Sequence, residues 1–124
     1  MAIALGLTVG THAADWSQWR GPDRQGVSSE TGWVDSFPAG QAPVAWKARV
    51  GVGVSSVVVA DGKLYTLGNE GGDTVVVRAI DANTGKELWQ FSYPCSLDKR
   101  QMSDGGTATT PALDGKLLYT VSHE

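Results

Sequence analysis

The chain has 124 residues, 16 of them glycine, and a formal net charge of −3. Lysine and arginine are scattered, so the basic stripe typical of nucleic-acid-binding proteins is missing, and we expect no nucleic-acid partner. A single cysteine, Cys95, excludes an intrachain disulfide, and His12 and His123 lie too far apart along the chain to suggest a zinc site. Cys95 follows Pro94 and is predicted to be an ordinary loop thiol.

The N-terminus resembles a secretory signal peptide. An apolar run over residues 2–9 precedes small residues that end at Ala14, and the polar Asp15 follows. The usual basic residues before the run are missing, and a buried N-terminal strand is the alternative. The run is too short to span a bilayer, which takes about 20 apolar residues, and no cysteine follows it to carry a lipid. We predict a signal peptide over residues 1–14 and a periplasmic or secreted protein, without lipid anchor or transmembrane segment.

Residues 15–43 form the next segment, which is rich in glycine, proline, serine and tryptophan and has no sustained apolar period. This composition predicts an extended N-terminal arm. Trp16, Trp19 and Trp33 are large apolar side chains that are costly to leave in water, so we expect the arm to pack against a larger body.

From Val44 onward the pattern changes to short apolar runs separated by turn residues. Residues 54–59 are four valines interrupted by Ser55 and Ser56, and they predict a strand buried on both faces. Asp61-Gly62 predicts a tight turn, and further polar turns are expected at residues 69–73 and 81–85. Together these signals predict a four-stranded antiparallel meander, with strands at residues 54–59, 63–68, 74–80 and 86–91.

The pattern then starts again. The sequence Leu64-Tyr65-Thr66 returns as Leu118-Tyr119-Thr120, which predicts strands at residues 108–113 and 116–122 around an Asp114-Gly115 turn. Four strands in a period of about 40–45 residues are the signature of a propeller blade. The predicted fold is therefore all-β: a β-propeller of four-stranded antiparallel blades, with the first blade at residues 54–91 and half of the second at 108–124. Propellers need about four to eight blades to close, so we expect this chain to be an N-terminal fragment.

One repeat carries a recognisable motif. The spacing Ala79-x-Asp81-x-x-Thr84-Gly85-x-x-x-Trp89 resembles the repeat of pyrroloquinoline-quinone-type (PQQ-like) β-propellers. In that family the Asp/Thr/Gly turn sets a hairpin, and the tryptophan docks against the neighbouring blade. The residues agree locally, because an aspartate can accept hydrogen bonds from turn amides and glycine tolerates positive φ. An ordinary hairpin in an unrelated sandwich is the alternative.

Two further segments extend the resemblance. Only the tryptophan end of the motif is present at Trp46, and the resemblance implies that residues 43–50 are the strand that closes the ring. The segment from Asp15 to Pro22 is similar to the start of mature, exported PQQ-like proteins. Residues 44–124 are accordingly expected to be the start of the propeller.

No catalytic or metal-binding residue is predicted. The carboxylates of Asp61, Asp81 and Asp114 occupy turn positions, where capping of amides explains them. Quinone-dependent dehydrogenases of this fold use calcium and a pair of adjacent cysteines, and the chain offers no counterpart, so cofactor-binding residues stay unknown. The expected function is a scaffold that binds a protein or cell-envelope partner through propeller loops. The alternative is the N-terminal part of a dehydrogenase of alcohols or sugars that uses PQQ and calcium.

Overall fold

The computed structural model describes residues 14–34, 36–37, 40–97 and 107–122. The signal peptide predicted for residues 1–14 lies outside the described residues, apart from Ala14. Within those ranges the chain has six strands, no α-helix, and thus no helix able to cross a membrane. All strand pairs are antiparallel, so the all-β prediction is confirmed, and neither sheet closes on itself. The strands are β1 Val58–Ala60, β2 Lys63–Glu70, β3 Thr74–Asp81, β4 Glu87–Pro94, β5 Ala112–Asp114 and β6 Leu117–Tyr119.

The first sheet is the predicted four-stranded meander, in the order β1-β2-β3-β4. Its first hairpin turns at Asp61-Gly62, where both residues have positive φ (49° and 69°). This is the geometry of a type I′ turn, whose twist matches that of the flanking strands and which favours Asp-Gly. The sequence therefore specifies this turn locally.

In the first sheet, three of the predicted strand boundaries differ from the structure by two residues or more. The first strand begins only at Val58, because Val54 and Val57 are 58% and 46% exposed and have no strand partner on β2. Conversely, β2 runs through Asn69 to Glu70, where a turn was predicted. The buried Asn69 side chain donates a hydrogen bond to the Cys95 carbonyl (2.9 Å) and accepts one from the Gly72 amide (3.1 Å). Because these bonds satisfy the side-chain amide of Asn69, this residue can be part of a strand. The third wrong boundary is the end of β4, which extends to Pro94.

The second sheet, β5-β6, repeats the first hairpin with a constant offset of 54 residues. Val58 pairs with Tyr65 in the first sheet, and Ala112 pairs with Tyr119 in the second. Both strands are shorter than predicted, and the turn falls at Gly115-Lys116 rather than at Asp114-Gly115. Gly115 has a φ of 57° and takes the first central position of the turn, which favours glycine.

The main core lies on one face of the first sheet. Leu67, Val75, Val77 and Cys95 are buried there, and Tyr93 and Leu118 pack against them. Leu118 belongs to β6, so the second sheet contributes a side chain to this core. Cys95 lies in the loop after Pro94 as predicted, but it is only 3% exposed and belongs to the core.

The opposite face of the first sheet is covered by residues 46–52, which we call the crossing segment. Val76, Arg78 and Ile80 are buried on this face. Gly68 is in register with Val76, and a Cβ at Gly68 would collide with the carbonyl oxygen of Val50. The crossing segment therefore passes over this face, although residues 43–50 form no strand among the described residues.

The N-terminal arm joins the two sheets, because it forms backbone hydrogen bonds with β1 and with β5. Trp16 exchanges two backbone hydrogen bonds with Val59 (2.7 and 3.0 Å), and the carbonyl of Ser17 accepts one from Leu113 (2.8 Å). The prediction that the arm tryptophans are packed was wrong for Trp19 and Trp33, which are 63% and 69% exposed. Both belong to stretches stabilised by local contacts rather than by packing on a sheet.

Candidate functional site

The β3–β4 turn carries the motif that the sequence singles out. The Oδ1 atom of Asp81 accepts three hydrogen bonds: from the Asn83 amide (3.1 Å), the Thr84 amide (2.8 Å) and the Thr84 hydroxyl (2.8 Å). The Gly85 amide donates to the Asp81 carbonyl (2.9 Å), and Gly85 has a φ of 71°. The carboxylate thus organises the turn, and glycine permits the left-handed residue that ends it.

Hydrogen bonds from the Thr84 hydroxyl and amide, and then from the Asn83 amide, lower the pKa of Asp81 below its ordinary value of 3.8 and outweigh the opposing effect of desolvation. A carboxyl whose pKa is lower in the folded state stabilises the fold above its unfolded pKa, and this stabilisation is lost as the pH falls through the folded pKa. We therefore expect Asp81→Asn to lower the Tm at neutral pH, and we expect its difference from the wild type to narrow as the pH falls below about 3.8. Thermal unfolding followed by circular dichroism between pH 7 and pH 2 measures this difference.

Asp23→Asn is the control for this series, because Asp23 lies in the arm, outside the turn. A Tm difference between Asp81→Asn and the wild type that stays constant down to pH 2 would contradict the proposed role of the ionised carboxylate.

Trp46 is docked on this turn from 36 residues away. Its indole Nε1 donates a hydrogen bond to the Ala82 carbonyl (3.0 Å). Its ring lies so close to Gly85 that a Cβ there would come within 2.6 Å of the ring atoms. Four of the six predicted motif residues (Trp46, Asp81, Thr84 and Gly85) therefore meet in one place, which we call the docked turn.

The other two motif residues lie further along the sheet. Ala79 is fully buried and is in register with Trp89 on β4. Trp89 is 43% exposed, and its ring contacts Tyr65 of its own sheet with centroids 6.1 Å apart. The docking of this ring against a neighbouring blade stays a prediction.

A second polar junction, which the sequence did not reveal, joins the segments that precede the two hairpins. The Ser55 hydroxyl lies 2.6 Å from the Thr109 carbonyl oxygen and 3.1 Å from the Thr107 hydroxyl. The Thr107 hydroxyl also lies 3.0 Å from the Leu67 carbonyl oxygen. Ser55 and Thr109 are related by the same 54-residue offset as the hairpins, so they occupy equivalent positions before them, but the offset alone does not indicate their contact.

One cleft of about 600 Å³ opens between the crossing segment and the end of β2. Glu70 is the single carboxylate that lines it, and this carboxylate forms an ion pair with Arg78. Calcium takes six to eight oxygen ligands, so the cleft does not fit a quinone site held with calcium. In the described part of the chain, no three His, Cys, Asp or Glu side chains group in a way that could hold a metal ion.

Comparison with protein-family models, with curated proteins and with solved structures finds no match for this chain.

Proposed function

We propose that the chain is part of an exported β-propeller repeat protein of the PQQ-like type, which acts as a binding scaffold. The observation that carries the binding role is strand β4, which pairs with β3 on one side and with no other strand in the described ranges. Its aromatic side chains Trp89 and Phe91 are 43% and 63% exposed. A long edge strand with exposed aromatic residues is a surface to which a partner strand can add.

The docked turn supports the repeat architecture. In it, Trp46 is docked on an Asp/Thr/Gly turn 36 residues away, and the resemblance implies a tryptophan that docks against a neighbouring blade. The constant 54-residue offset between the β1-β2 and β5-β6 hairpins supports it independently. Because Trp46 comes from residues 43–50, its contact with the first sheet is also consistent with the ring-closing role proposed for that segment.

The binding role is tested with a fluorescein-labelled strand peptide of alternating valine and threonine, flanked by lysines for solubility. We expect saturable binding by fluorescence anisotropy. Phe91→Lys should weaken binding about tenfold, because a lysine on an edge strand opposes strand addition. Val27→Lys is the matched control: Val27 is 73% exposed but lies in the arm, so binding should be unchanged. Equal binding by the wild type and Phe91→Lys would contradict the proposed role of β4.

The alternative enzymatic function has its own test. The protein is incubated with PQQ and calcium, and dye-linked oxidation of a primary alcohol and of glucose is measured. We expect no turnover above that of the free cofactor. Oxidation that depends on the protein would contradict the scaffold proposal and favour the dehydrogenase function.

A further inference from the structure

Residues 18–26, which we call the arm loop, are held by a dense set of local hydrogen bonds. The Gly26 amide donates to the Arg20 carbonyl (2.8 Å), and the Gly21 amide donates to the Gln18 carbonyl (3.0 Å). The Gln18 side-chain amide donates to the Pro22 carbonyl (2.9 Å). The loop is therefore a folded unit with a defined shape.

The backbone of this loop is strained at two positions. Arg20 and Arg24 have φ values of 65° and 57°, in the left-handed region that non-glycine residues rarely occupy. Such strain persists where surrounding contacts enforce it, and it is concentrated at sites of function.

Both guanidinium groups are bonded to neutral oxygen atoms. Arg20 donates through Nη2 to the Gln25 carbonyl (3.3 Å), and Arg24 donates through Nε to Oε1 of Gln18 (3.2 Å). The ion pairs within 4.0 Å among the described residues are those of Arg78, so neither loop arginine is paired with a carboxylate of this part of the chain. The loop thus fixes the direction of two positive charges without neutralising them.

An exposed tryptophan lies beside these charges. Trp19 is 63% exposed, and the guanidinium carbon of Arg20 lies 5.6 Å from its ring centroid. Tryptophan and arginine are the residue types that most often dominate the energy of protein interfaces, and a preorganised loop loses less entropy on binding.

From this arrangement we infer that the arm loop binds an acidic peptide segment, with Arg20 and Arg24 bound to its carboxylates and Trp19 packed against an adjacent aromatic or aliphatic side chain. Arginine suits this role because its planar fork of donors matches a carboxylate. The inference deepens the proposed scaffold function, on which it rests, by naming the chemistry of one partner.

The charge of the arm favours a peptide over an anionic membrane surface. Residues 14–37 contain two arginines and four carboxylates, so the arm as a whole is negative. An extended anionic surface would be repelled by Asp15, Asp23 and Glu30 together, whereas a short peptide meets the charges of the arm loop, in which two arginines outnumber the single carboxylate of Asp23.

The test uses the full chain and a fluorescein-labelled peptide with four glutamates around a central tyrosine; a peptide with lysine in place of glutamate is the charge control. We expect saturable binding of the acidic peptide, weakened by added salt. Trp19→Ala and Arg24→Gln should each raise the Kd about tenfold. The first removes the proposed packing of the indole on the peptide, and the second removes one of the proposed ion pairs with its carboxylates. Arg24→Lys keeps the charge but loses the planar fork and should give an intermediate Kd.

Matched controls are Trp33→Ala, which removes another exposed tryptophan of the arm, and Arg49→Gln, which removes a cation outside the loop. Circular dichroism verifies that each variant is folded. The inference is overturned if the wild type does not bind the acidic peptide, or if the two control variants weaken binding as much as the loop variants. Tighter binding to phosphatidylglycerol vesicles than to the peptide would also overturn it. If the protein binds the valine/threonine strand peptide at β4 but not the acidic peptide, the inference of an acidic partner is overturned and the scaffold proposal is retained.

Discussion

Gly68→Ala is expected to lower the free energy of unfolding by about 3 kcal/mol, the upper end of the usual cost of overpacking. The added Cβ would overlap the carbonyl group of Val50, and it would lie in a tight contact, 3.1 Å, with the Cα of Gly51. These are backbone atoms that cannot rotate away, so the crossing segment must lift from the sheet. Urea denaturation followed by tryptophan fluorescence measures the change.

Gly62→Ala separates this collision from the general cost of replacing a glycine. Gly62 has a φ of 69° in the first hairpin turn, and nothing lies within 4 Å of the position that its Cβ would take. The cost there is backbone strain alone, about 1–2 kcal/mol. Equal destabilisation by the two substitutions would show that the crossing segment does not rest on Gly68.

Removal of the two carboxylates around Arg78 should have the second large effect. The Arg78 side chain is 8% exposed, forms an ion pair with Glu70, and donates through Nε to Glu87 at 3.1 Å. Replacing both glutamates by glutamine leaves a buried cation without a counter-charge. Loss of a partner in a fully buried pair costs about 3–5 kcal/mol; because both glutamates are about half exposed, we expect about 2 kcal/mol for the double variant.

Arg78→Met should be tolerated far better, with a change below about 1 kcal/mol. The Nη1 atom of Arg78 is buried and has no hydrogen-bond partner in the part of the chain that the structure describes. Methionine removes this unsatisfied donor together with the buried charge, while its flexible side chain fills similar space. Chemical denaturation measures the free energy of unfolding of Arg78→Met, of the double glutamine variant, and of the triple variant that combines them. In the triple variant, Arg78→Met should restore the stability that the two glutamine substitutions remove. A larger loss for Arg78→Met than for the double glutamine variant would contradict this account.

The strands and turns were predictable where the relevant physics is local. The Asp61-Gly62 turn and the Asp81-to-Gly85 turn each depend on residues close together in sequence, and both lie where they were predicted. The valine run at residues 75–77, which lies between two clusters of turn residues, was sufficient to predict β3. The limits of β1 and β2 were not predictable in this way, because they depend on the distant bonds of Asn69 with Cys95 and on the lack of strand partners for Val54 and Val57.

Of the two candidate sites, one was predictable from the sequence and the other was not. The repeat motif, and the importance of Trp46 within it, came from sequence spacing and from the family resemblance. The arm loop did not, because nothing in its sequence shows that Arg20 and Arg24 adopt positive φ or that Trp19 stays exposed. The sequence predicted that Trp19 and Trp33 would be packed, since it shows that these residues are costly to hydrate but not whether another surface is available to cover them.

By itself, the sequence determined an antiparallel all-β chain with a hairpin that recurs at a constant spacing, because turn chemistry and short apolar runs act over a few residues. Only the tertiary structure decided which distant segments meet: Trp46 on Gly85, Val50 on Gly68, and Ser55 with Thr107 and Thr109. In each contact, segments that are dozens of residues apart in sequence come within a few ångströms of each other. Such an approach depends on the space left by glycines and on the position of whole strands, neither of which is encoded in a local pattern.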